Sequence, residues 1–248
     1  PPGTHRRNIP TPRHLCHPFS LDTPNLDILQ AEVTGFLVEN GRITGVENQF
    51  GDRIPCRAVV VTTGTFLNGK LHYGMRNFPG GRAGDFPSNA LSTALSGQLG
   101  LRIGRLKTGT PPRILAKTID FSRMKLQEAE GQEEEFCCWS RKQLPPLPHA
   151  RRHDMPCHQV YSTEETAQIV RDNIQFSPMY QGVIKGIGTR YCPSFEDKVV
   201  RFPQHPVHLL YLEPEGADTR EYYINGISTS LPVEVQRAMV RSIPGMER

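Results

Sequence analysis

The stretch AVVVTTG at Ala58–Gly64 decides the fold class, because an apolar run ends directly in small polar residues. A strand that is buried on both faces has such a continuous apolar run, as in the middle of a parallel sheet. Ligands of open α/β sheets bind beyond the carboxyl ends of these strands, where short side chains let the backbone approach a cofactor. The stretch therefore predicts an α/β fold with Thr62, Thr63 and Gly64 at a ligand-binding edge. The alternative is an ordinary strand that ends in a turn.

Short elements surround this strand. Asn40–Gly41 is the dipeptide best suited to a type I′ turn, which predicts hairpins within residues 28–57. Further elements are a helix over 88–100 with Ser88 as N-cap, a helix that opens with a capping box between Ser162 and Glu165 and ends at Ser177, a strand over 209–212, and a helix over 230–240.

Composition limits the function classes. The 248 residues include 37% hydrophobic and 22% charged residues, which argues against wholesale disorder and a fibrous repeat. No uninterrupted apolar run reaches the roughly 18 residues that a membrane-spanning helix needs, so we expect a soluble protein without membrane contact. The 22 glycines and 22 prolines exceed the usual share of about one residue in eight and predict a loop-rich sheet protein. A net charge of +4 permits a polyanionic partner without requiring one.

Residues 1–24 differ from the remainder. Their repeated prolines predict an unstructured or non-family segment and argue against an amphipathic transit helix, which favours a cytoplasmic over a mitochondrial protein. His14, Cys16 and His17 lack the second ligand pair of a structural zinc site, so we expect no metal there. The six cysteines form no C-x-x-C pair, and a disulfide framework is not expected. The chain begins without methionine, which suggests a fragment.

Two loops carry candidate anion-binding residues. The glycine-rich loop at 78–85 contains Arg82 and Asp85 and precedes a predicted helix, where backbone N–H groups can hold an anion. It fits neither G-x-G-x-x-G nor a P-loop. Residues 101–113, here called the basic loop, place four cations among Gly, Thr and Pro. The functional interpretation is phosphate or carboxylate recognition, and the alternative is a solvated basic turn.

Residues 186–202, here called the thiol segment, gather a thiol, cations and carboxylates behind flexible glycines. Cys192 lies near Arg190 and Lys198, and neighbouring cations can depress a thiol pKa and create a nucleophile or acid. An isolated cysteine is more often a small buried hydrophobe, and this alternative stays open here.

Five motifs in this order resemble one known family. They are VTTGTFL at 61–67, GRAGD at 81–85, GRLKTGTPPR at 104–113, RYCPS at 190–194 and LEPEG at 212–216. Together they closely resemble the MnmG (GidA) family of FAD-dependent tRNA uridine 5-carboxymethylaminomethyl modification enzymes. The resemblance runs from about residue 25 to the C-terminus. One departure is Thr189, where the family has proline, which loosens that turn.

The resemblance implies an α/β fold: part of a glutathione-reductase-like Rossmann FAD domain with a smaller inserted domain. Residues 25–118 and 187–248 would belong to the FAD domain, and residues 119–186 would form the insertion. The implied catalytic residues are Cys192, Arg190 and Lys198. The implied cofactor-binding residues are Thr62, Thr63, Gly64, Arg82, Asp85, Lys107 and Thr108.

The resemblance also implies the reaction and its participants. Family members act with the GTPase MnmE on tRNA, as homodimers in full-length form. They add an aminomethyl or carboxymethylaminomethyl group at C5 of the wobble uridine. FAD is the cofactor, NADH the electron donor and methylenetetrahydrofolate the carbon donor.

The family's N-terminal G-x-G-x-x-G, which cradles the FAD pyrophosphate, has no counterpart in this sequence. We therefore expect an internal fragment that binds FAD weakly or not at all and is inactive alone. The competing hypothesis is a non-catalytic fragment that binds RNA or a partner. A third is the folate-dependent tRNA methyltransferase relative TrmFO, over which the RYCPS block favours MnmG.

Overall fold

The computed structural model describes residues 24–128, 155–188, 193–216 and 219–248. Within these ranges the chain forms twelve strands and four α-helices. The strands are β1 Val33–Glu39, β2 Arg42–Asn48, β3 Arg53–Pro55, β4 Lys70–Tyr73, β5 Arg76–Pro79, β6 Leu106–Lys107, β7 Arg113–Leu115, β8 Lys125–Gln127, β9 Cys157–Tyr161, β10 Ile187–Gly188, β11 Leu209–Pro214 and β12 Glu221–Asn225. The helices are α1 Asn89–Gly97, α2 Glu164–Asp172, α3 Phe195–Arg201 and α4 Val233–Arg241.

The predicted N-terminal hairpin is confirmed. Strands β1, β2 and β3 form an antiparallel meander, and Asn40 and Gly41 take φ values of 50° and 75° at the first turn. A type I′ turn requires positive φ at both central positions, which explains the Asn-Gly pair. Helix α1, at the predicted position, packs on this meander and buries Leu95 against Phe36 in a small core.

The predicted strand over Ala58–Gly64 is wrong. Residues 56–63 form no strand, and Val60 is 84% exposed. A strand with two apolar faces is stable only when neighbouring strands pair with its edges and other elements cover its faces. No strand in the described ranges pairs with this stretch, so it stays irregular despite its strand-like composition, and of its three valines only Val59 packs against the small core.

The larger core lies under a five-stranded antiparallel sheet with the order β7-β12-β11-β9-β8. Helices α2 and α4 pack together beside it. Leu210, Leu212 and Ile224 point from the central strands into this core and are fully buried. The sheet contains strands from both sides of the predicted boundary between residues 186 and 187, and the proposed domain limits stay a prediction.

The cap of α2 differs from the prediction by one residue. Thr163, not Ser162, is the N-cap: the Thr166 N–H donates to Thr163 Oγ1 and the Thr163 N–H donates to Thr166 Oγ1, each at 3.1 Å. Ser162 is held by the adjacent chain instead, since its N–H donates to the His208 carbonyl and its Oγ accepts from the His208 N–H. The capping box is therefore formed by two threonines, and Glu165 takes no part in it.

The glycine-rich loop packs on the turn that follows the predicted cofactor edge. Thr65 Oγ1 donates a hydrogen bond of 2.6 Å to the Gly81 carbonyl. A Cβ added at Gly81 would lie 2.2 Å from the Phe66 ring, so only glycine fits there. The TTG and GRAGD motifs are thus neighbours in space.

We predict that Gly81→Ala lowers the free energy of unfolding by about 1–3 kcal/mol, because the new methyl group overpacks against Phe66. Gly97→Ala is the matched control, since a Cβ there meets nothing within 4 Å and alanine favours the helix by up to about 1 kcal/mol. Urea denaturation of both variants measures the difference. Equal midpoints would contradict the close packing of these loops.

Candidate functional site

Helix α3 begins inside the thiol segment, a helix that the sequence analysis missed. Ser194 is its N-cap, and its Oγ accepts a hydrogen bond of 3.3 Å from the Asp197 N–H. Glu196 and Asp197 occupy the first turn, where carboxylates interact favourably with the helix dipole. The Ser-x-x-Asp spacing is an N-terminal helix signal that would have indicated this helix.

The buried Asp197 carboxylate lies at the centre of a polar cluster. Its Oδ2 accepts from Ser194 Oγ at 3.2 Å and lies 3.9 Å from Lys107 Nζ. Its Oδ1 accepts from the Tyr180 hydroxyl at 3.3 Å and lies 3.5 Å from Arg201 Nε. Burial and the neighbouring Asp197 carboxylate raise the pKa of Tyr180 to about 12. The phenol therefore stays protonated and remains a donor to Asp197 at every physiological pH.

Lys107 is the buried cation of the basic loop. Its side chain is 6% exposed and that of Asp197 is 11% exposed, so the pair is largely shielded from water. At 3.9 Å the contact balances charge but does not have the length of a hydrogen bond. In the part of the chain that the structure describes, the Lys107 ammonium has no hydrogen-bond acceptor. Its three N–H groups are available to an oxygen of a bound ligand.

Glu196 anchors the other side of this cluster. The side chain is fully buried, and its Oε1 accepts from the Ser230 N–H at 3.1 Å and from Ser230 Oγ at 3.3 Å. Its buried Oε2 has no hydrogen-bond partner within the described ranges. A buried carboxylate is costly unless it is hydrogen-bonded, so these two bonds fix the turn at 228–231.

The basic loop lies along this same turn. A Cβ added at Gly109 would be 3.0 Å from Ser228 Cβ, and Thr110 forms a β-bridge with Thr229. Gly109 and Thr110 are therefore fixed by contacts with this turn, whereas residues 101–106 of the loop are exposed.

Arg113 closes the far end of the basic loop. Its Nε donates to Glu215, its Nη1 donates to Thr110 Oγ1 at 2.8 Å, and its guanidinium lies 4.7 Å from the centre of the Tyr223 ring. Arg113 is committed to contacts within the chain, which leaves Arg102, Arg105 and Lys107 as the loop's candidates for an anion.

Both flanks of Cys192 lie beside the basic loop. Strand β10 pairs in parallel with β6, so that Gly188 lies opposite Lys107. On the other flank, Asp197 forms the ion pair with the same lysine. Cys192 and Arg190 themselves lie outside the described residues. Gly188 directly precedes the segment 189–192 that carries them, and Asp197 lies in the first turn of the helix that follows it.

Two further predicted site residues, Lys198 and Thr108, lie in different environments. Lys198 Nζ donates a hydrogen bond of 2.7 Å to the Gly226 carbonyl, which supports the turn after β12. Thr108 is exposed beside Lys107. Their roles in catalysis and cofactor binding stay predictions.

Two motifs of the predicted cofactor edge, TTG and GRAGD, lie next to each other. Thr62 and Gly64 are exposed at the surface, and Thr63 is half-buried. Arg82 and Asp85 form an exposed ion pair of 2.8 Å within their loop. The contacts described above join the two motifs to each other.

Arg105 connects this edge to the basic loop. Its Nη1 donates a hydrogen bond of 2.5 Å to the Asn68 carbonyl, which lies in the turn after the TTG motif. The candidate cofactor residues and Lys107 therefore belong to one continuous set of contacting loops.

The sequence also contains histidines and cysteines that could serve in metal or thiol chemistry. In the described ranges no group of three or more His, Cys, Asp or Glu residues is arranged to hold a metal ion. His14, Cys16 and His17 lie outside those ranges. Burial and the Glu213 carboxylate raise the pKa of the Cys157 thiol, so this cysteine is protonated and unreactive. None of the helices described has both the length and the apolar character to cross a bilayer.

Comparison with known proteins agrees with these motifs. The family model described as "Glucose inhibited division protein A" matches residues 20–248. The chain belongs to this family. A relative from Geotalea uraniireducens, named tRNA uridine 5-carboxymethylaminomethyl modification enzyme MnmG, is 47% identical over 229 residues, covering 90% of this chain and 34% of the relative. A relative of the same name from Thermodesulfovibrio yellowstonii is 49% identical over 225 residues, covering 91% and 35%.

Solved GidA structures share the fold. The form I crystal structure of Aquifex aeolicus GidA matches with a TM-score of 0.75 and 42% identity, covering 92% of this chain and 38% of that one. The form II crystal gives 0.74 and 39%, covering 93% and 36%. The α/β class and the expected family are confirmed. The chain spans about a third of the length of its GidA relatives.

A double-mutant cycle tests the central contact. We predict that Asp197→Asn lowers the free energy of unfolding by about 3 kcal/mol, because it leaves the Lys107 ammonium without its counter-charge. Lys107→Met combined with Asp197→Asn should lose less than the sum of the single variants, with a coupling of about 1–2 kcal/mol. Asp27→Asn, at an exposed position, is the control and should change little. Additive losses in urea denaturation would contradict a buried pair.

Proposed function

We propose that this chain is the portion of an FAD-dependent tRNA-modifying enzyme that joins the flavin edge to the substrate-activating thiol. The carrying observation is that both flanks of the Cys192 segment contact Lys107 of the basic loop. Residues that must act on one pyrimidine have to lie within a few ångströms of it. The names of the relatives, tRNA uridine 5-carboxymethylaminomethyl modification enzyme MnmG, support the substrate.

In this proposal the target is C5 of the wobble uridine, which receives an aminomethyl or carboxymethylaminomethyl group. The Cys192 thiolate adds to C6 of the pyrimidine, and the electron pair of the C5–C6 double bond moves to C5, which attacks the carbon donor as a carbon–nitrogen bond of the donor breaks. Loss of the proton from C5 then expels the thiolate from C6 and restores the C5–C6 double bond. Arg190 and Lys198 lower the thiol pKa and stabilise the negative charge that develops on the ring. Methylenetetrahydrofolate supplies the carbon, and the GTPase MnmE is the partner protein.

The described residues fit part of a flavin dinucleotide site. Lys107 has a shielded ammonium whose N–H groups have no acceptor within the described ranges. These N–H groups can therefore donate to a carbonyl or phosphate oxygen of a ligand. The absence of a side chain at Gly81 lets this loop pack against Phe66, in the turn that follows the TTG edge. The remaining contacts with the cofactor would come from Thr62, Thr63, Gly64, Arg82, Asp85 and Thr108. When bound, FAD would supply the redox step, with NADH as electron donor.

The chain's own residues would position the uridine and exclude water. Asp197, Ser194 and Tyr180 hold the start of α3 in one arrangement. Since the Tyr180 phenol stays protonated, this support does not change near neutral pH. The full-length enzyme would act in the cytoplasm as a homodimer.

Cys192→Ser tests the thiol. We predict that it lowers tRNA modification at least about 10²-fold in a polypeptide of the relatives' length that carries this chain, while flavin content stays unchanged. Cys157→Ser is the matched control, because this half-buried thiol has a raised pKa and is not among the proposed catalytic residues. Modified nucleosides are quantified by mass spectrometry of digested tRNA. Full modification by Cys192→Ser would remove the thiol from the mechanism.

Flavin content of the 248-residue chain is a second test. We expect no bound flavin by absorbance near 450 nm after purification, because the sequence lacks the G-x-G-x-x-G cradle for the pyrophosphate. A polypeptide of the relatives' length should contain it. Salt-dependent RNA binding by that longer polypeptide without flavin or turnover would instead support the competing function, a non-catalytic RNA- or partner-binding protein.

A further inference from the structure

A second charged feature lies apart from the Lys107–Asp197 cluster. A cleft of about 330 Å³ opens between the β4–β5 hairpin and the start of α1. Its polar lining consists of Asn68, Lys70, Asn77, Asn89 and Arg105, and we call it the asparagine cleft. Its residues come from four separate parts of the sequence, so the fold assembles it.

The lining has the donor set of an anion site. Lys70 and Arg105 carry positive charge, and three amide side chains add N–H donors. No carboxylate belongs to the lining. The nearby Asp85 is already paired with Arg82 at 2.8 Å. Two cations that share a cleft without a counter-ion attract a doubly or singly charged oxyanion.

Arg105 is held in place for such a contact. Its Nη1 donates to the Asn68 carbonyl at 2.5 Å, and Asn68 has a left-handed backbone with φ of 48°. A guanidinium has five N–H groups in a planar fork, so this one bond fixes its orientation and leaves other donors for a ligand. An arginine that is oriented beforehand loses less side-chain entropy on binding.

The field of the two cations is evident at a neighbouring side chain. His72 follows Lys70 on strand β4, and its buried Nδ1 has no partner within the described residues. Burial, Lys70 and Arg105, in that order, lower the pKa of His72. Lys70 and Arg105 therefore add to the effect of burial in disfavouring the protonated form of His72.

We propose that the asparagine cleft binds a phosphate group, with Lys70 and Arg105 as its charged ligands and the asparagine amides as additional donors. The phosphate could come from an RNA backbone or from a small phosphorylated molecule. The RNA source rests on the proposed function, whereas phosphate binding itself stands on the cleft alone.

The test uses the 248-residue chain and a fluorescent single-stranded oligoribonucleotide, with anisotropy measured over a series of salt concentrations. We expect Lys70→Gln/Arg105→Gln to weaken binding about tenfold and to reduce the slope of log K against log salt by about 1.4, since each phosphate contact contributes about 0.7. Lys117→Gln/Arg237→Gln removes the same charge from exposed sites elsewhere and should leave the slope unchanged.

The outcomes distinguish an RNA backbone from a small phosphorylated ligand, and failure of the cleft proposal from failure of the proposed function. Displacement of the oligoribonucleotide by inorganic phosphate or AMP at equal phosphate concentration supports a small phosphorylated ligand, and resistance to both supports the RNA backbone. Equal losses in the two double variants, or no binding by the unchanged chain, would overturn the cleft. The tRNA modification assay of Cys192→Ser would remain unaffected, so failure here does not count against the proposed function.

Discussion

The buried ion pair between Lys107 and Asp197 determines how the candidate site is arranged. It joins the basic loop to the first turn of α3, two segments that are distant in the sequence. A shielded ammonium needs a counter-charge, and a shielded carboxylate needs donors, so each residue restricts where the other can lie. The parallel pairing of Gly188 with Lys107 adds a second restriction from the opposite flank. These two contacts place Gly188 and Asp197, on either side of Cys192 in the sequence, beside the basic loop.

The hydrogen bonds around this pair hold Asp197 in place but leave the N–H groups of Lys107 without an acceptor in the described ranges. Ser194 and Tyr180 satisfy the Asp197 carboxylate, which leaves the Lys107 ammonium balanced in charge but without a hydrogen-bond acceptor in the described ranges. A binding site benefits from such a group, since a ligand oxygen meets a donor that is already positioned and shielded from water. Glu196 fixes the adjoining turn through Ser230, so the basic loop rests on a surface that does not need to rearrange.

Local signals in the sequence predicted local structure well. The Asn40–Gly41 turn was predictable because its backbone conformation depends on those two residues. The strand over Ala58–Gly64 was not, because its stability depends on neighbouring strands that the described chain does not supply. Motif resemblance identified the family and the candidate residues. The pairing of Lys107 with Asp197 carried no signal in sequence spacing, although the Ser194-x-x-Asp197 pattern would have located the helix that makes it possible.

A paramagnetic label on Cys192 tests the account most directly. The other five cysteines are replaced by serine, and amide NMR signals are compared before and after reduction of the nitroxide. If Cys192 lies beside the basic loop, as we propose, the signals of Lys107 and Thr108 are broadened strongly and those of exposed Lys117 are affected less. Unperturbed signals throughout the basic loop, in a chain that retains its sheet and helix content, would contradict it.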